Sequence, residues 1–349
     1  MSQADKPIEV LVTARVTTEQ LGRMKTLHPR LVIRGEPGGM AIMTAAEAAA
    51  YKINITGFDY PEFRPDLDYQ GMLATAEVLF ATRIPPDVVK RAPRLRWIQF
   101  TSAGVDHLWN PSLGEAHVVV TSTKGIHAQP MAEFVMSCLL VFAKGWPQLL
   151  ENQREHRWGR FMLDELLGKT MVLVAVGEIG LGVARLAKAF GIRTVGVGRR
   201  GSVAEPSPEL DERHPVEALH HALGQADFVV ASLPLTGKTR GLMNEGAFRA
   251  MKPSAIFINV GRGRTVDQVG LARALREGWI GGAALDVFEE EPLPPDNPLW
   301  DMKNVLISPH MGSDTPMYME RMTNVLYDNL VRYAEGRSLR NVVDPQEGY

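Results

Sequence analysis

The sequence predicts an α/β protein of two domains, one a doubly wound parallel sheet and the other a smaller α/β unit. Three observations carry that prediction. Short runs rich in valine, isoleucine and leucine alternate with stretches of helical periodicity along most of the chain, the pattern of parallel sheets covered by helices. Near the middle, Lys169 to Arg200 reads as strand, glycine turn, helix and strand, one complete βαβ unit. The 349 residues are enough for two separate cores.

Taken in order, Ile8 to Val12 is a short buried strand, Thr18 to Leu27 a helix with threonine near its start, and Leu31 to Ile33 a second apolar run. Residues 35 to 71 form an excursion with one short helix in the alanine-rich Ala41 to Ala50. Regularity returns with Glu77 to Ala81 (strand), Pro86 to Arg91 (helix) and Leu95 to Phe100 (strand), which predict a small parallel sheet. Val118 to Thr121 is a strand. His127 to Lys144 is a helix apolar on most sides, expected to pack between domains or subunits. Residues 148 to 168 read as an exposed connection. After the βαβ unit come strands at Phe228 to Leu233, Ala255 to Val260, Gly282 to Val287 and Val305 to Ser308. Helices are expected at Glu245 to Met251 and Val266 to Glu277. From 118 to 310 the alternation predicts a six- or seven-stranded parallel sheet. Pro316 to Ala334 closes the chain with a helix that has proline in its first turn.

Composition narrows the class. Apolar content of 45% and charged content of 22% are those of a soluble globular protein. A net charge of -2 gives no electrostatic reason to expect nucleic acid or an anionic membrane. The single cysteine, Cys138, rules out an internal disulfide and fits a reducing compartment. No signal-peptide pattern opens the chain, and the longest apolar run, Phe134 to Ala143, is too short to span a bilayer. A cytoplasmic protein is expected.

The βαβ unit carries the first chemical signal. Its fingerprint is Ala175-x-Gly177-x-x-Gly180, with Glu178 and Ile179 between the glycines. The second glycine permits close backbone approach to a phosphate and the third permits helix and strand to pack, which makes this a candidate dinucleotide site of Rossmann type. A doubly wound unit without a nucleotide would also carry such glycines. Small residues at Thr101 to Gly104 end a strand, where free amides suit a carboxylate as well as a plain turn.

Three further strand ends carry polar residues. Arg262 follows Ile256 to Val260, Glu291 ends the acidic run after Val287, and His310 follows Ser308-Pro309. Singly, each has a bland account: a surface ion pair, a solvated acid, a capping histidine. Asp286 differs, since a carboxylate within an apolar strand must find a partner. Together they point to reversible oxidation of a 2-hydroxy acid to a 2-oxo acid. Arginine would grip a substrate carboxylate and polarise the adjacent carbonyl, while a carboxylate-oriented imidazole moves one proton. Metal catalysis is not expected, since His220 and His221 are adjacent rather than spaced along a helix.

These motifs occur in order: SAGVD at 102 to 106, VGEIGLGVA at 176 to 184, LPLTGKTRGLMN at 233 to 244, INVGRGRTVD at 258 to 267, ALDVFEEEPLP at 284 to 294 and SPHMG at 308 to 312. The sequence resembles the D-isomer-specific 2-hydroxyacid dehydrogenases, of the glyoxylate/hydroxypyruvate reductase kind. The resemblance implies a Rossmann-type doubly wound parallel sheet domain at 117–313. It also implies a smaller flavodoxin-like α/β domain, made discontinuously from 1–116 and 314–349, that binds substrate. By the same resemblance Arg262 binds the substrate carboxylate and carbonyl, Glu291 pairs with His310 as acid/base, and Asp286 faces the nicotinamide carboxamide. Ala103 and Gly104 match the loop that receives the carboxylate. Gly177, Glu178, Ile179, Gly180, Leu233, Pro234 and Val260 fall in motifs that line the cofactor.

There are departures. Ala175 replaces the first fingerprint glycine, and the acid usual at the end of the second strand is absent. Gly198 stands there instead, followed by Arg199 and Arg200, which predicts NADP(H) in preference to NAD(H). A homodimer built on the nucleotide domains is expected. The alternative is a nucleotide-sensing corepressor of the same fold, which needs no catalytic set.

Overall fold

The computed structural model describes residues 6–50, 66–105, 108, 111–199 and 207–344. The chain divides into two compact units, Met1–Ile126 with Pro316–Tyr349, and His127–Thr315.

The first unit is built on a five-stranded sheet: β1 (Ile8–Val12), β2 (Leu31–Gly35), β3 (Val78–Ala81), β4 (Trp97–Phe100) and β5 (Val119–Thr121). All neighbours are parallel and the order is β2-β1-β3-β4-β5, the flavodoxin-like order. β3 and β4 are buried at every residue, as strands covered on both faces must be. One cover is the closing helix Tyr318–Ala334, whose Met322, Leu326, Leu330 and Ala334 recur every four residues. They pack with Val10, Val12, Phe80 and Trp97.

A buried polar chain ties that helix to the sheet. Trp97 Nε1 donates to Thr121 Oγ1 at 2.7 Å, Thr121 Oγ1 donates to Gln99 Oε1 at 2.8 Å, and Asn329 Nδ2 donates to the same oxygen at 3.0 Å. Each polar group buried there has found a partner, which removes the cost of leaving it dry and unpaired.

β5 corrects the sequence reading. The alternation from 118 to 310 puts Val118 to Thr121 in the sheet of the second half, but Val119, Val120 and Thr121 pair with β4 in the first. The apolar run is equally suited to either sheet, and only the pairing decides. Pro316 also lies outside its helix, which starts at Tyr318 with Met317 as the cap. Among the described residues, the excursion at 35 to 71 holds the helix Ala45–Ala50 and the start of a second, Tyr69–Thr75. Residues 51–65 lie outside the described ones.

The second unit holds a seven-stranded parallel sheet ordered β12-β11-β10-β9-β6-β7-β8. Its members are β6 (Thr170–Val174), β7 (Arg193–Gly198), β8 (Glu212–Pro215), β9 (Phe228–Ala231), β10 (Ile256–Asn259), β11 (Gly282–Leu285) and β12 (Val305–Ile307). Counted from β6 this is the Rossmann order 3-2-1-4-5-6 with one strand added beyond the sixth, and its switch point falls between β6 and β9. β8 escaped the sequence reading because Glu-Arg-His-Pro has no apolar run, and a half-buried edge strand needs none.

The helix Ala128–Ala143 is buried at Met131, Ala132, Val135, Met136, Cys138, Leu139 and Ala143. It packs within its own unit against the helix Glu178–Ala189, close enough that a Cβ at Gly182 would lie 2.9 Å from the Ala128 carbonyl oxygen. Half of the helix is therefore buried inside the second unit, while Phe134, Leu140, Val141 and Phe142 stay partly exposed. Trp146–Arg154 is a helix with proline in its first turn, so the connection expected at 148 to 168 is helical in its first seven residues.

Candidate active site

The turn from β6 into the helix Glu178–Ala189 has the shape that a phosphate-binding turn requires. A Cβ at Gly180 would collide with the Ala175 carbonyl oxygen, so only glycine lets helix and strand close. At Gly177 a Cβ would meet no atom of the described residues within 4 Å, which leaves space among them at the helix N-terminus. No side chain caps that end, so the first-turn amides around Glu178, Ile179 and Gly180 keep their donors for an anion. Ala175 adopts φ +96°, a conformation that glycine takes without strain. The geometry of a glycine fingerprint thus survives without its first glycine, and the residues present fit a dinucleotide. Leu233 (buried) and Pro234 follow β9, and Val260 (buried) follows β10, all at the carboxyl edge of the same sheet. Gly198 ends β7 without a carboxylate, and Arg199 beside it is exposed. Arg200 lies outside the described residues.

Arg262 sits between two glycines whose backbones are pressed against neighbours. A Cβ at Gly261 would lie 2.6 Å from Leu233 N, and one at Gly263 would collide with the Phe288 carbonyl. The loops after β10 and β11 are therefore in backbone contact. The Arg262 carbonyl accepts from Thr265 Oγ1 at 2.6 Å and from Asn259 Nδ2 at 3.4 Å. The Asn259 Oδ1 accepts in turn from Gly261 N–H at 3.2 Å. Asn259 and Thr265 lie in the motif INVGRGRTVD without a role of their own, although a polar residue within an apolar strand, as Asn259 is in Ala255 to Val260, is the signal that singles out Asp286.

Glu291 and His310 meet directly. His310 Nδ1 donates to Glu291 Oε2 at 2.7 Å, and Glu291 Oε1 accepts from the Phe288 N–H at 2.9 Å. The hydrogen bond to Glu291, reinforced by its charge, holds the His310 imidazole above its ordinary pKa against the opposing effects of burial and Arg262. Burial works to raise Glu291. The bonds from His310 and the Phe288 amide, with the charges of His310 and Arg262, outweigh it and hold the carboxyl below its usual range. Both shifts register the charge of Arg262, so the three side chains form one electrostatic group at the sheet's carboxyl edge. The pair is about half exposed and adds little to folding stability. That contribution is present below the free imidazole's pKa and lost as pH rises through the raised His310 value.

Asp286 is fully buried. It lies just past β11, which ends at Leu285, rather than inside the strand as the sequence suggested. In the first unit, Thr101 to Gly104 follow β4, with Ala103 and Gly104 partly buried and the Ser102 hydroxyl oxygen buried without a hydrogen-bond partner among the described residues. Asp106 of the same motif lies outside the described residues. Among those described, no helix is long and apolar enough to cross a membrane.

Comparison with known proteins agrees with this layout. The family model of the D-isomer specific 2-hydroxyacid dehydrogenase NAD binding domain matches residues 136–312. A glyoxylate reductase of Aeropyrum pernix is 37% identical over 294 residues, 79% of this chain and 86% of that protein. Glyoxylate/hydroxypyruvate reductase B of Pectobacterium carotovorum is 35% identical over 289 residues, 81% of this chain and 89% of the relative. Among solved structures, a D-isomer specific 2-hydroxyacid dehydrogenase of Xanthobacter autotrophicus in complex with NADPH and MES superposes with a TM-score of 0.77. It is 29% identical, and the match covers 98% of this chain and 100% of that one. By sequence, sheet order and site geometry alike, this chain belongs to the D-isomer-specific 2-hydroxyacid dehydrogenase family.

Proposed function

We propose that this enzyme reduces a small 2-oxo acid of the glyoxylate or hydroxypyruvate type to the D-2-hydroxy acid, with NADPH preferred over NADH. The observation that carries the reading is the imidazole tied to Glu291 beside Arg262, at the carboxyl edge of a dinucleotide-type sheet. Gly177 to Gly180 would hold the pyrophosphate, with Leu233, Pro234 and Val260 along the cofactor's path. When bound, the nicotinamide supplies the hydride. Arg262 grips the substrate carboxylate with its fork and polarises the neighbouring carbonyl. His310, with Nδ1 committed to Glu291, keeps Nε2 for the proton that the reduced oxygen takes up. On the first unit, the Ala103 and Gly104 amides suit a carboxylate. A corepressor would need none of this set, and relatives across most of the chain carry reductase names. The test is a screen of small 2-oxo acids with NADPH and NADH, followed by absorbance; no oxidation with any of them would overturn the reading.

Cofactor preference rests on the end of β7. A carboxylate there would repel a 2′-phosphate, and Gly198 has none, while a guanidinium from Arg199 or Arg200 can bind it by charged hydrogen bonds. The structurally similar Xanthobacter protein was solved with NADPH. Losing one charged bond costs about 1.5–3 kcal/mol, so Arg199→Ala or Arg200→Ala should raise KM for NADPH roughly tenfold to a hundredfold and leave that for NADH nearly unchanged. A wild-type kcat/KM higher with NADH than with NADPH would sink the preference.

A homodimer remains part of this proposal, and its support moves along the chain. The exposed apolar side chains gather after the long helix: Trp158 is 97% exposed, Met162 95% and Leu167 73%, with Trp146, Leu150, Phe161 and Leu163 partly exposed. So much apolar surface on one segment calls for a cover, and we assign it to a second copy. Light scattering should give twice the monomer mass at micromolar concentration, and Trp158→Ser with Met162→Ser should return the monomer. A monomeric wild-type protein would refute it.

A further inference from the structure

His310 adopts φ +54°, in the left-handed region that residues other than glycine enter only at an energetic cost. Its bond to Glu291 fixes the ring and leaves the backbone turn unexplained. The group that fixes the turn lies behind it. Asp286 Oδ1 accepts from Ser308 Oγ at 2.6 Å, from Met311 N–H at 2.9 Å and from Gly312 N–H at 3.1 Å. Asp286 Oδ2 accepts from Gly312 N–H at 3.2 Å. The donors flank His310 on both sides, and they converge on one carboxylate that has no exposure to solvent.

The approach is close by construction. A Cβ at Gly312 would lie 3.0 Å from Asp286 Oδ2 and 3.0 Å from Phe134 Cδ1, so glycine lets the amide reach the carboxylate while the helix Ala128–Ala143 backs the loop. The His310 N–H also donates to the Ser308 carbonyl at 3.0 Å, closing the turn on itself. A buried carboxylate with three donors gains more from each bond than a solvated one would, and releasing one leaves charge poorly compensated.

We propose that Asp286 and Ser308 are positioning residues, which clamp the turn from Ser308 to Gly312 and so hold the His310 imidazole against Glu291. The resemblance assigns Asp286 to the nicotinamide carboxamide and gives Ser308 no duty. The clamp gives both residues a task that precedes cofactor binding. It rests on the reading of His310 as the proton donor, and it acts through geometry.

Ser308→Ala and Ser308→Thr separate this from general packing, because threonine keeps the hydroxyl and alanine does not. In Ser308→Ala, kcat should fall about tenfold with KM for the oxo acid nearly unchanged. In cofactor-free protein, the His310 titration followed by NMR should move to lower pH, because the ring loosens from Glu291. Ser308→Thr should restore both. Wild-type kcat and titration in Ser308→Ala would overturn the clamp, as would a loss that Ser308→Thr fails to restore. His310→Gln measured alongside keeps the two readings apart. Normal turnover there removes the proton-donor role, while the NMR titration still decides whether the clamp holds the ring.

Discussion

His310→Gln lowers turnover in the reductive direction by roughly 10² or more, and leaves NADPH binding, followed by fluorescence titration, unchanged. Glutamine fills much of the same space and can still hydrogen-bond, but it cannot deliver a proton to the developing alkoxide. Near-normal turnover would end the assignment. Glu291→Gln tests the same pair from the other side. Reduction consumes a proton, so it requires protonated His310 and falls as pH rises through the His310 pKa. Glu291 holds that pKa up by its 2.7 Å hydrogen bond and its charge. Removing the charge stabilises the imidazolium less, so the falling limb of the pH profile moves toward acid. A limb that stays in place would mean the carboxylate does not govern the histidine in solution.

Much of this site could be read along the chain, because parallel α/β sheets place chemistry at strand ends and strand ends are visible as the limits of apolar runs. Arg262, Glu291 and His310 each follow such a run, and the fold brings the three loops to one edge. What sequence does not carry is pairing. Val118 to Thr121 looks the same whether it joins β4 or the larger sheet, and β8 has no apolar signature because its residues are only half buried. Supporting bonds were equally hidden. Ser308 sits beside a proline in a loop, and only the return of the chain past β12 sets its hydroxyl 2.6 Å from Asp286. Half of the helix Ala128–Ala143 is core of its own unit, and Phe134, Leu140, Val141 and Phe142 stay partly exposed, a division that hydropathy alone cannot draw.

Arg262→Lys is expected to lower kcat/KM by about 10²–10³, nearly as much as Arg262→Gln, although lysine keeps the charge. The guanidinium's role rests on its planar fork, which can hold a carboxylate with two parallel donors and still face the adjacent carbonyl oxygen. An ammonium is a point charge that can satisfy one of these and not the other. Losing a donor aimed at developing oxyanion charge typically costs about 2.7–4 kcal/mol, which is the basis of the predicted range. The backbone under Arg262 is unusually well fixed, because Gly261 and Gly263 are wedged against Leu233 and Phe288 and the carbonyl is held by Thr265. A lysine would therefore start from the same Cα position, and the difference measured would be that of the head group. Steady-state kinetics with the oxo acid, at saturating NADPH, give the comparison, with NADPH affinity as the control that should not move. If Arg262→Lys retains more than about a tenth of the wild-type kcat/KM, positive charge alone suffices and the forked grip on substrate is wrong.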